Sequence, residues 1–173
     1  MLTGKRERGF TYIGLLLFIA ILGIVLAGTG VLYRTQAQRE KEMELLYVGD
    51  QFRRAIQLYY DKSPGGDKHF PKSLDDLLRD QRYPGVQRYL RKIYVDPMTG
   101  ATDWGLIAAA DGGIAGVHSL SQRKPIKTAG FSEADAGFAG TTRYADWQFS
   151  YLPPTPSQKQ QPNQDRVRRD VMK

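Results

Sequence analysis

The sequence predicts an α+β protein in which a long N-terminal helix packs on a small antiparallel β-sheet of three to four strands. Three observations lead there. Residues 10–33 carry no charged side chain across 24 positions. Residues 34–61 repeat apolar side chains at three- and four-residue steps. Beyond residue 100, short apolar segments alternate with glycine-rich turns.

The chain of 173 residues suits one domain, or one small domain carried on a long helix. It has no cysteine, which excludes a disulfide framework and a thiolate zinc site and leaves the compartment open. The formal charge is +7, of which Lys5, Arg6, Glu7 and Arg8 contribute +2, leaving +5 for a chain that begins at Phe10. That balance is compatible with anionic partners and identifies none of them.

The first element is the run from Phe10 to Tyr33, FTYIGLLLFIAILGIVLAGTGVLY. As a helix it spans roughly 36 Å, enough to cross a hydrocarbon core of ~30 Å with some tilt. Gly14, Gly23, Gly28 and Gly30 are poor helix formers in water but common in membrane helices. Lys5, Arg6 and Arg8 flank its entry and favour a cytoplasmic N-terminus. Arg34, Arg39 and Lys41 follow on the other side and blur the bias. The short N-terminal arm nevertheless places residues 34–173 outside the cytoplasm. Three readings compete for the run: a cleaved secretory signal, for which it is too long, a plain signal anchor, and a short leader cut off just before it. The flanking residues favour the third.

The second element, residues 34–61, continues the same helix. Leu45, Val48, Phe52, Ala55, Ile56 and Tyr59 form one buried stripe, with Glu42, Asp50, Arg53 and Arg54 assigned to other faces. Ser63-Pro64-Gly65-Gly66 ends it. Ser73-Leu74-Asp75-Asp76 then predicts the N-terminus of a short helix reaching about Asp80. Pro84-Gly85 and the stretch Asp96-Pro97 through Gly100 are turn signals.

Strands are predicted over Asp103–Ala109, Ile114–Ser119 and Tyr144–Leu152, the first two joined at Asp111-Gly112-Gly113. Trp147, Phe149 and Tyr151 alternate onto one face of the third. A long loop over 122–143 is expected to lie on the sheet. Residues 153–173 hold little that could form a core and predict a disordered basic tail.

The stretch KRERGFTYIGLLLFIAILGIVLA resembles the processing site of type IV pilins and type II secretion pseudopilins. In that family a basic leader ends in glycine, and a membrane-bound prepilin peptidase cuts after it and N-methylates the new first residue. The resemblance implies scission between Gly9 and Phe10, with Thr11, Ile13 and the apolar run of Leu15, Leu16 and Leu17 also matching. It implies a pilin-like fold: leader 1–9, membrane-spanning helix half 10–33, and a periplasmic domain 34–152 that includes the amphipathic helix 34–61. One departure concerns the fifth mature position, where the family usually carries glutamate and this chain carries Gly14. In the family that carboxylate is thought to pair with a neighbouring subunit's terminal amine, and some minor or tip subunits lack it. The segment FPKSLDDLL and the turn DPMTG resemble major pseudopilins of type II secretion. The partners implied are prepilin peptidase, other pilins or pseudopilins, and an inner-membrane platform with its secretion ATPase. The implied location is the bacterial inner membrane, single-pass, with assembly into a periplasmic or surface filament.

The chemistry-bearing residues point away from an enzyme. His69 and His118 are the only histidines and lie far apart, and no HExxH, CxxC, GxSxG or phosphate-binding glycine loop is present. No catalytic residue, metal ligand or cofactor is therefore assigned. The resemblance brings calcium into consideration, since major pseudopilins hold Ca²⁺ in an acidic late loop. Calcium needs six to eight oxygen ligands, whereas Asp103, Asp111, Glu133 and Asp135 form no dense cluster in the sequence, and Asp96 and Asp103 read as turn caps. A basic stretch, Arg79, Arg82, Arg88, Arg91 and Lys92, is interleaved with Tyr83, Tyr89 and Tyr94. Arg82, Arg88, Arg91 and Lys92 are its candidate contacts to nucleic acid or a neighbouring subunit, because cations neutralise phosphates and aromatic rings stack on bases. The competing reading is a solvated face whose tyrosines pack inward. The leading expectation is thus a structural filament subunit that supports protein secretion. The alternative is a DNA-binding minor pilin of an uptake system.

Overall fold

The computed structural model describes residues 8–154, with the side chains of 12–24 and 33–154. The two predicted helix halves form one element, α1 (Arg8–Asp61), of 54 residues. At 1.5 Å per residue it is roughly 80 Å long. Lys62 N–H and Ser63 N–H close its last turn, and Pro64 with left-handed Gly65 and Gly66 turns the chain away.

The short helix α2 is confined to Asp75–Leu78, shorter than the expected run to Asp80. Its start is closed by reciprocal bonds in which Asp76 N–H donates to Ser73 Oγ and Ser73 N–H to Asp76. Asp80 falls outside it because its N–H donates to the Gln87 carbonyl instead of continuing the helix.

The sheet has three strands, β1 (Gly105–Ala108), β2 (Ile114–His118) and β3 (Gln148–Ser150), antiparallel in that order. β1 and β2 pair Leu106 with Val117 and Ile107 with Gly116, with a register shift before Ala108. Asp111 shapes the intervening turn by accepting the Gly113 N–H, while Gly112 takes φ +81°. β2 and β3 pair Val117 with Phe149. The third strand is shorter than expected. Tyr144–Asp146 forms a 3₁₀ turn, because Tyr144 N–H and Ala145 N–H donate to the Arg123 and Ser121 carbonyls and not to β2.

One hydrophobic core joins α1 to the sheet. Leu45, Val48, Phe52, Ala55, Ile56 and Tyr59 are buried against Ile114, Val117, Trp147 and Phe149, with Leu77 and Leu90 closing one end. The approach of α1 to β3 is close enough that a Cβ on Gly49 would overlap the Phe149 ring. Loop 122–143 contains a 3₁₀ turn, Glu133–Phe138. Its Phe131 and Phe138 pack on Trp147, the Phe138 and Trp147 rings lying nearly parallel at 5.5 Å.

Two charged residues of α1 depart from the expected pattern. Glu42 is 2% exposed and lies in line with the stripe, three residues before Leu45. It accepts the Ile126 N–H at 2.5 Å, the Lys127 N–H at 3.2 Å and the Tyr144 hydroxyl at 2.7 Å. Arg53, expected on a solvent face, pairs with Asp135 at 2.6 Å with both side chains largely covered. Helix α1 thus holds the long loop at two points about 16 Å apart along its axis.

Candidate functional site

The feature of this molecule most in need of a partner is the N-terminal half of α1. Tyr12, Ile13, Leu15, Leu16, Leu17, Phe18, Ile19, Ile21, Leu22 and Ile24 are each between 47% and 74% exposed. They occupy every azimuth of the helix, since consecutive residues step by about 100°. A helix apolar on all sides is buried in use, either among other helices or in lipid. Full burial of a large apolar side chain is worth about 1.5–3 kcal/mol, and with somewhat over half of each still exposed these ten together represent roughly 9–18 kcal/mol of unrealised transfer energy. That far exceeds what a monomer in water leaves exposed in one patch.

Backbone chemistry suits the same environment, because a helix satisfies its N–H and C=O groups internally. Among the described residues no helix is long and apolar enough to cross a membrane. The described side chains supply 12–24, thirteen consecutive residues. The expectation of a span over 10–33 also needs 25–32, whose side chains lie outside the described set.

The Gly9–Phe10 bond falls in the first turn of α1, while the side chains of Phe10 and Thr11 and the whole of residues 1–7 lie outside the described set. Gly14 has nothing within 4 Å of where its Cβ would sit. A carboxylate there would fit sterically and find no partner in this chain. Of the disordered tail expected over 153–173, residues 155–173 lie outside the described residues.

The basic stretch divides. Arg82 belongs to the end of α1. Its Nε and Nη2 donate to the two Asp80 oxygens at 2.9 and 2.8 Å, Nη1 to Ser63 Oγ at 2.7 Å, and Nη2 to the Tyr59 carbonyl at 2.9 Å. The guanidinium also lies 3.6 Å from the Tyr59 ring centroid. Asp80 is buried, which opposes its ionisation, but the bonds from Arg82 and Tyr89 outweigh this and hold its pKa below the ordinary carboxylate value. Tyr89 is pushed up to about 12 by burial and then by its bond to Asp80.

Arg88, Arg91 and Lys92 are exposed, with the Lys92 ammonium 5.6 Å from the Tyr94 ring centroid. The interleaved tyrosines turn inward: Tyr89 packs on Tyr59, Tyr94 on Phe52, and the Tyr83 hydroxyl donates to the Lys62 carbonyl. Stacking platforms for bases are therefore already engaged within the fold.

Among the described residues no group of three or more acidic or histidine side chains is placed to hold a metal. The acidic residues weighed for calcium are dispersed. Asp111 accepts the Phe70 and Gly113 N–H groups, Asp135 is bonded by Arg53 and Ser132, and Asp103 is exposed. Asp96, expected as a turn cap, is fully buried and accepts from Met98 N–H, the Thr99 hydroxyl and the Ser119 hydroxyl. His118 contacts the Ser119 carbonyl through Nδ1, and His69 lies 3.0 Å from Asp67 at the surface.

Sequence reasoning missed the polar groups that secure the loop: Gln38, Glu42, Arg53, Asp135 and Tyr144. One signal was available, since Glu42 continues the 45–48–52 stripe backwards by one turn. Tyr144 is pushed up to about 12, first by burial and further by its bond to Glu42. No family model, curated protein or solved structure matches the chain.

Proposed function

We propose that this chain is a structural subunit of a type II secretion pseudopilus or a related type IV filament, anchored in a bacterial inner membrane by residues 10–33. The observation that carries the reading is the stretch 12–24 of α1, apolar and exposed all round, on the same helix whose stripe from Leu45 to Tyr59 is buried in a small domain. Such a helix has two environments that satisfy it, and a filament subunit uses both in turn. It rests in lipid first and then packs among the helices of its neighbours. The basic leader 1–9 is removed by a prepilin peptidase between Gly9 and Phe10, and an inner-membrane platform with its ATPase drives extraction. The domain remains periplasmic, on the outside of the filament.

On this reading Gly14 leaves the subunit without the family carboxylate, which fits a minor or tip-like position. The domain has no role in this scheme for catalysis, metal or cofactor. The DNA-binding alternative draws less support, because Arg82 and the three tyrosines are occupied internally.

Intact mass of the protein extracted from membranes tests the proposal. The expected product lacks residues 1–9 and carries one added methyl group on Phe10. A chain retaining Met1 identifies a simple anchor instead, and a chain that leaves the membrane in alkaline carbonate removes the anchoring premise altogether.

A further inference from the structure

The site where α1 leaves the domain holds a cluster of cations with no carboxylate among the residues that line it. Arg34, Gln38 and Lys41 follow one another at four and three residues and so share one helix face. Arg123 reaches the same face from the long loop. Together with Tyr33 and the intervening helix surface they line an open cavity of about 450 Å³.

Two of the lining side chains are held in place. Arg123 is held through its backbone, where its carbonyl accepts the Tyr144 N–H at 3.1 Å, and through its guanidinium, which donates to Gln38 Oε1 at 3.2 Å. Gln38 in turn donates to the Tyr144 hydroxyl at 2.7 Å and to the Lys124 carbonyl at 3.2 Å. One donor of Arg123 is used in this way, out of the five a guanidinium carries.

Arg53, Arg54, Arg82 and Arg143 each pair with a carboxylate. Among the described residues Arg34, Lys41 and Arg123 pair with none, and no acidic residue lines the cavity. The nearest buried carboxylate, Glu42, is already bonded by Ile126, Lys127 and Tyr144. The negative charge of Glu42 lies behind Tyr144, but the open side of the cavity presents only cations, which raise the local concentration of any anion able to enter.

Position supplies the identity of that anion. Tyr33 is the last residue of the uncharged run and Arg34 the first charge after it. In a membrane-anchored chain this level is the headgroup layer, where tyrosine rings and arginines gather. We propose that the cavity binds the phosphate of an anionic phospholipid, with Arg34 and Arg123 as planar forks on its oxygens and Lys41 as a point charge. The proposal rests on the anchoring of residues 10–33 put forward above. It assigns the corner a task before assembly, that of seating the domain against the bilayer in one orientation.

The test uses the full chain in detergent micelles and counts retained lipid by native mass spectrometry after addition of phosphatidylglycerol, phosphatidylcholine or inorganic phosphate. Phosphatidylglycerol is expected to be retained preferentially. The Arg34→Gln/Lys41→Gln/Arg123→Gln variant should weaken its retention by about ten-fold or more. Arg88→Gln/Arg91→Gln/Lys92→Gln removes the same charge from another surface and should leave retention unchanged. Buried Trp104 and Trp147 report by fluorescence that each variant is folded, and the single substitution Arg34→Gln, on an exposed turn, stands in if the triple variant is not. Equal retention of the two lipids, or equal loss in both triple variants, overturns the proposal. Phosphate that competes with phosphatidylglycerol and binds as tightly overturns the lipid assignment and makes the ligand a soluble phosphate. Failure of anchoring is read separately, from release of the chain in carbonate.

Discussion

Removing the Glu42 carboxylate is predicted to loosen the long loop from α1. In the Glu42→Ala variant three donors lose their acceptor: the partly buried Ile126 and Lys127 N–H groups and the buried Tyr144 hydroxyl. A hydrogen bond to a charged acceptor is worth about 1.5–3 kcal/mol net, and a donor left unsatisfied costs a further fraction of its desolvation. Three losses that share one site are not additive, so the expected destabilisation is about 3–5 kcal/mol. Glu42→Gln keeps one acceptor oxygen and should cost about 1–2 kcal/mol. Urea unfolding of the full chain in detergent, followed by fluorescence, measures this. Trp104 and Trp147 are the only tryptophans, and both are buried in the domain. Hydrogen exchange adds a local signature: protection should fall first at Ile126 and Lys127. A Glu42→Ala midpoint matching that of the exposed control Glu44→Ala, with exchange at 126 and 127 unaltered, would refute the reasoning.

Further predictions follow from other contacts. Gly49→Ala drives a methyl group into the Phe149 ring and should destabilise the domain by about 1–3 kcal/mol in the same unfolding assay, with Gly14→Ala as a neutral control because its surroundings are open. The folded pKa of Asp80 lies below its ordinary value of 3.8, so its contribution is present above that value and is lost as pH falls through the folded pKa. Asp80→Asn should therefore be less stable than wild type at neutral pH, with the difference shrinking as pH falls below about 5, so that the acid limb of its stability–pH curve is shallower. Leu16→Asp puts a charge in the apolar half without touching the domain, and should leave the unfolding midpoint unchanged while reducing the carbonate-resistant membrane fraction; the cost of a central charge in a spanning helix is about 3 kcal/mol. Gel shift of the full chain with duplex DNA should show only weak binding that disappears at raised salt, and retention at raised salt abolished by Arg88→Gln/Arg91→Gln would restore the nucleic-acid alternative.

The legible parts of this molecule are those decided by local pattern. The stripe from Leu45 to Tyr59 and the turn at Asp111-Gly112-Gly113 depend on neighbours a few residues away, and both are where periodicity and turn chemistry put them. The apolar half of α1 was legible for a similar reason, since absence of charge over a run requires no knowledge of tertiary contacts. The parts that escaped are decided at a distance. Glu42 looks like a solvent residue until its donors are known, and two of those are backbone N–H groups more than eighty positions later. Alternation of Trp147, Phe149 and Tyr151 identifies a strand but not its first paired residue, which the bonds of Tyr144 to Glu42 and Arg123 decide. Arg82 and Arg88 are indistinguishable as letters; only the end of α1, with Ser63 and the Tyr59 carbonyl, separates them.

Glu42 and Arg53 stand three helical turns apart, and each is matched to a different chemistry on the loop: amide hydrogens for one, a carboxylate for the other. Slippage by one turn would bring Asp135 to Gly49 or Gln57 and the Ile126 amide to Gln38 or Leu46, so in either direction one fastening loses its partner and the other is left with a neutral amide. A tension applied along the rod from its greasy end would thus be borne by both fastenings at once. The loop would then move with the helix, its two ends held by contacts of opposite kind.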